Sequence, residues 1–94
     1  MTRDDVLAEA GKAVADRGLN YGKPEDNFAR IAELWTALIT TKGAARGPIT
    51  PAEVAMMLAL VKVARLANDP AHKDSWVDLA GYAACGGEVA LKKA

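Results

Sequence analysis

Cysteine is almost missing from this chain of 94 residues. Cys85 stands alone, so no internal disulfide can form, and a reducing compartment is expected. Excess charge of either sign is missing too, since twelve Lys and Arg are balanced by twelve Asp and Glu. A chain without a basic excess is a poor match to duplex DNA, whose phosphates must be met by a cationic face. Any anion it binds is expected to be small and met by a few placed cations. There is a single histidine, His72, with no second histidine to share a metal. No apolar run reaches the length of about 18 residues that a membrane span needs, because Lys62 and Arg65 interrupt the longest one. The first residues carry Arg3, Asp4 and Asp5 ahead of any apolar stretch, unlike a secretory leader. The expectation is a soluble protein of the cytoplasm. No internal repeat, low-complexity tract or strand-like alternation is visible.

What remains is helical. Apolar residues make up 51% of the chain, ample for a globular fold, and residues 1–94 read as one domain. A chain this short buries only about 60–65% of its unfolded surface when it folds alone, so association would stabilise it. Thr2 and Asp5 have the spacing of a capping box. Val6, Leu7, Ala10 and Val14 follow as an apolar stripe, and Gly18 is expected to end this first helix. Pro24 opens a second, with Glu25 and Asp26 in its first turn. Phe28, Ile31, Leu34, Trp35, Leu38 and Ile39 form its apolar face, opposite Asp26 and Glu33. "TTKGAARG" breaks the pattern as a loop long enough to be mobile. "TPAE" at 50–53 opens a third helix, running to about Ala67, with Thr as cap, Pro in the first position and Glu in the third. From Val54 to Ala67 its only polar residues are Lys62 and Arg65. A helix apolar on every side must be covered on every side, more than short neighbours in one chain can do. Asn68, Asp69 and Pro70 stop it. A fourth helix starts near Asp74 or Ser75 and carries Trp76, Val77, Leu79, Ala80, Tyr82, Ala83 and Val89. The fold expected is all-α: a small bundle of three to four helices, residues 1–20 loosely packed, assembling into a homo-oligomer.

The polar chemistry gathers around the third and fourth helices. Lys62 and Arg65 share a face in an oily helix. Either they pair with Asp74, Asp78 or Glu88, or they reach a phosphate. Asp74 and Asp78 also share a face. Asp74 has the position of a cap, whereas Asp78 is expected deeper, beside Trp76 and Tyr82. His72 reads as a loop hydrogen-bonding group or a general base. Cys85, among Ala and Gly, reads as a small packed residue. In "NYGKP" the ring of Tyr21 can stack on a base or pack on the fourth helix. Gly22 permits close approach, and Lys23 can meet a phosphate. Gly81, Ala83, Ala84, Gly86 and Gly87 form a surface that another helix can approach closely, with Met56 and Met57 as adaptable area.

Three blocks, "YGKPEDNFARIAELW", "ITPAEVAMMLALVKVARL" and "DSWVDLAGYAACGGE", together resemble a family of small phage-encoded proteins. It includes the anti-CBASS proteins that sequester cyclic oligonucleotide second messengers. The resemblance spans about Tyr21 to Glu88. It implies a helical protomer assembled into a hexamer, with intact cyclic dinucleotides held between protomers and cyclic trinucleotides at a separate central site. On this resemblance Tyr21 stacks on a base, while Lys62, Arg65 or Lys73 neutralises phosphate. The glycine-rich fourth helix makes an assembly contact. The ligand-binding set is then Tyr21, Gly22, Lys23, Lys62, Arg65, His72, Lys73, Trp76 and Asp78, with no metal, cofactor, duplex nucleic acid or membrane involved, acting in the host cytoplasm to block anti-phage signalling. The blocks also faintly resemble phage nucleotide-modification-associated domains and the helical pyrophosphohydrolases. The latter use a Glu-x-x-Glu pair followed by a Glu-x-x-Asp pair, and neither spacing occurs here. The alternatives are therefore a metal-dependent nucleotide-processing enzyme, with Asp26, Glu33, Asp74 and Asp78 as ligands, and a structural oligomer without a small ligand.

Overall fold

The computed structural model describes residues 1–20, 22–43 and 46–92, with the side chains of 17–20 left aside. It is all-α, with four helices in chain order: α1 (Arg3–Asn20), α2 (Pro24–Thr40), α3 (Pro51–Asn68) and α4 (Lys73–Ala90). Both α2 and α4 pack on α3, α4 more extensively, whereas α1 packs extensively on none of them.

Helices α1, α3 and α4 start where a side chain supplies a partner for the first amides. At α1, the Thr2 amide donates to Asp5 Oδ2 (2.9 Å) and the Asp5 amide to Thr2 Oγ1 (3.2 Å), the reciprocal pattern of a capping box. The helix runs through Gly18 to Asn20. The left-handed position is taken instead by Gly22, at φ 78°. At α2, Lys23 caps through backbone alone and proline occupies the first turn. At α3 the box is complete: the Glu53 amide donates to Thr50 Oγ1 (3.2 Å) and the Thr50 amide to Glu53 Oε1 (2.9 Å). The α4 cap is His72, not Asp74 or Ser75. The Ser75 amide donates to His72 Nδ1 (3.2 Å), and Ser75 Oγ lies 2.7 Å from the same nitrogen. An imidazole nitrogen accepts as an Asp oxygen would, so the helix begins one residue sooner than a search for Ser or Asp places it.

Glu53 joins the loop to the helix. Its carboxylate is buried and meets the Arg46 guanidinium, with Lys42 Nζ at 3.8 Å. The segment between α2 and α3, expected to be mobile, is tied to the start of α3 at Lys42 and Arg46. The sequence pattern offered no sign of this, because an ion pair across a loop has no periodicity. The Thr50 amide, then the Arg46 guanidinium, hold the Glu53 carboxyl down at about 2 from its ordinary 4.5.

The contact between α2 and α3 is made partly through backbone carbonyls. Trp35 Nε1 donates to Met57 O (2.8 Å) and Arg30 Nη1 to Ala64 O (3.1 Å). Both carbonyls lie inside α3, so the incoming donor uses a second lone pair. Ile31, Ala64 and Leu66 are the buried apolar residues among those described. Phe28, expected on the inner face of α2, is 66% exposed. Between α3 and α4 the approach is set by Gly86, where an added Cβ would lie 2.8 Å from Ala55 Cβ. One of the fourth helix's glycines is thus explained within the chain. Gly81 and Gly87 have nothing within 4 Å of that position.

Two outcomes follow. Gly86→Ala is expected to destabilise, because about 1–3 kcal/mol of overpacking outweighs the gain in helix propensity, whereas Gly81→Ala gains up to about 1 kcal/mol; urea unfolding of the pair reads the difference. For Glu53, the depressed carboxyl stabilises the fold fully above pH 4.5, and that contribution is lost as pH falls toward 2. Wild type is therefore expected to exceed Glu53→Gln in unfolding midpoint at pH 7, with the gap closing by about pH 2.

Candidate functional site

The candidate site is the end of the bundle where α3 stops, α4 starts and the chain enters α2. The turn between α3 and α4 is short. The Ala71 amide donates to Asp69 Oδ1 (3.2 Å) and the His72 amide to Asp69 O (3.1 Å), so Asp69 orders the turn as an Asx residue does. Trp76 Nε1 donates to Pro70 O (2.9 Å), which fixes the indole over the same turn.

That bond leaves the Trp76 ring 54% exposed. An indole whose N–H is satisfied and whose ring stays in water offers a flat apolar face with a fixed orientation. Lys73 lies three residues earlier, on the same side of α4 and also exposed. It occupies the first position of the helix, where the backbone dipole already concentrates positive charge and a cation is disfavoured without an anion nearby. Asp74 supplies one in the same turn.

Lys62 and Asp78 pair across α3 and α4 at 3.0 Å. The Asp78 side chain is 49% exposed, not deep, because its helix face lies at the rim of the contact. The Lys62 side chain is the more covered partner, 22% exposed, so the pair lies at the edge of the contact between α3 and α4. Arg65, one turn further along α3, is 2% exposed and enclosed by the chain's own packing. His72 is engaged as the α4 cap. Gly22 brings the start of α2 against the end of α3, where an added Cβ would lie 3.2 Å from Asn68 Oδ1. Lys23 is exposed beside it. Tyr21 lies outside the described residues. Asp69 and Pro70 read in the sequence only as a stop for the third helix, and Arg30 is not marked by it at all. The Asp-Pro pair signals a turn, but nothing in the spacing reports that Pro70 O would anchor a tryptophan.

Cys85 is exposed rather than packed. Among the described residues no three His, Cys, Asp or Glu side chains gather into a group able to hold a metal ion. No described helix is long and apolar enough to cross a membrane.

The family described as "Domain of unknown function (DUF6378)" matches residues 5–90. The chain is 43% identical over 80 residues to the Gene 55 protein of Mycobacterium phage L5, covering 83% of this chain and 47% of that protein. It is 35% identical over 83 residues to the Gene 55 protein of Mycobacterium phage D29, covering 87% of this chain and 51% of that one. The chain thus spans about half the length of the curated relatives it matches. No solved structure matches it. With the family match running across nearly all of α1 to α4, the chain belongs to this phage-borne family of the domain of unknown function DUF6378.

Proposed function

We propose that this chain is a non-catalytic binding protein that sequesters cyclic oligonucleotides, cyclic dinucleotides first among them, in the host cytoplasm. The observation that carries the proposal is the fixed, half-exposed indole of Trp76 with Lys73 one turn before it. A ligand with both a base and a phosphate matches that pair: the base stacks on the ring and the phosphate meets the ammonium and the amino end of α4. Lys62 is a second cation within reach of the contact between α3 and α4. The resemblance stated above adds Tyr21 as a second stacking ring and a hexamer whose protomers share the pocket.

The alternative of a metal-dependent nucleotide-processing enzyme needs Asp26, Glu33, Asp74 and Asp78 to converge. The described residues show no such gathering. A structural oligomer without a small ligand is favoured by the amount of apolar surface left open.

One experiment separates the three readings. The protein is mixed with cyclic di- and trinucleotides and linear nucleotides, with and without Mg²⁺, freed of unbound ligand and heated to release what it holds. An unchanged cyclic nucleotide is expected. A product formed only with the metal, or nothing released, overturns the proposal. Trp76→Ala is expected to weaken binding by about 1–3 kcal/mol, the range for a lost base stack, read by calorimetric titration; unaltered affinity would remove Trp76 from the site.

A further inference from the structure

The accessible surface of the chain is 7004 Å². A compact protein of 9.9 kDa exposes about 5,200 Å², so about 1,800 Å² is open beyond what its mass requires. Its radius of gyration, 15.9 Å, likewise exceeds the roughly 12 Å of a compact fold this long. Two features account for much of this. One is α1, whose Val6, Leu7 and Val14 are exposed. With Ala10 they fall within an arc of about 100° on a helix, a single apolar stripe left exposed. The other is a groove of about 300 Å³ between α3 and α4, whose floor is Ala52, Ala55 and Ala59 on one side and Ala83, Gly86 and Gly87 on the other.

We infer that α1 of a second copy of this chain occupies that groove. The dimensions agree. Val6 to Val14 spans about 12 Å of helix, and the groove follows α4 from Tyr82 to Ala90, also about 12 Å. The shapes agree as well: branched side chains project from α1, and the groove floor is alanine and glycine, with Met56 and Tyr82 also lining it. Gly87 faces open space on its own protomer, as a position reserved for a neighbour's side chain would. The chain's own α1 does not fill it, since it packs extensively on none of the other helices. The excess area also matches the need. A stable interface takes about 800 Å² per partner and an obligate one about 1,000–2,500 Å². A helix given and a helix received by each protomer supply two such contacts, one at each end of the exchange.

This deepens the assembly part of the proposed function and needs no ligand, so it is tested on the full chain without nucleotide. Sedimentation equilibrium at micromolar concentration is expected to give a multiple of 9.9 kDa for wild type. Leu7→Asp with Val14→Asp, altering the guest helix, and Gly87→Leu, altering the host groove, are each expected to give the monomer mass with helical circular dichroism retained. A Leu7→Cys copy and a Gly87→Cys copy, both carrying Cys85→Ser, are expected to form a mixed disulfide under mild oxidation. A monomeric wild type overturns the inference, as does an assembly that survives the α1 variant. If a variant fails to fold, the mixed disulfide decides: its absence overturns the inference.

Discussion

One constraint governs this molecule: α3 is apolar around its whole circumference and has to be covered. Its own chain covers it on two sides. α2 does so by hydrogen-bonding Trp35 and Arg30 to carbonyls within α3, and α4 by bringing Gly86 onto Ala55. Val54, Met56, Leu58 and Val63 are still exposed after both contacts. Few of the described apolar residues are fully enclosed, so little of the driving force for folding comes from a closed core among them. Hydrophobic stabilisation scales with the area taken out of water, and this chain has more apolar area than three neighbours can take.

The polar groups divide according to that constraint. Where a helix end needs a partner, the chain supplies one at short range: Thr2 and Asp5, Thr50 and Glu53, His72 and Ser75. Glu53 does more, because its second oxygen holds Arg46 and fastens the loop to the helix. The cations within and around the α3–α4 contact follow different rules. Arg65 is drawn inside, while Lys62 stays at the rim with Asp78. Lys73 sits at a helix start that repels it. Asp74, in the same turn, supplies the neighbouring negative charge.

Much of this could be read from residues alone. The four helices follow from apolar spacing of three and four, and the α1 and α3 starts from Thr-x-x-acid patterns whose reach is a single turn. The pairing of Lys62 with an aspartate was legible as well, because a cation in an oily helix needs a counter-ion and few are near in sequence. The α4 start was misjudged by a residue or two because histidine took the capping role. Glycine often ends a helix, but α1 runs through Gly18; the turn instead uses Gly22, which also lets the chain pass Asn68.

The amino-acid sequence by itself determined the helices, their caps and the surplus of apolar surface, because these depend on neighbours within a turn or on composition. Only the tertiary structure decided which surface is left over. Whether Phe28 points inward, whether Arg46 finds Glu53, which glycine meets α3 and which stays open all depend on how helices distant in sequence cross. Crossing is set by the fit of whole faces, and no short-range pattern records it.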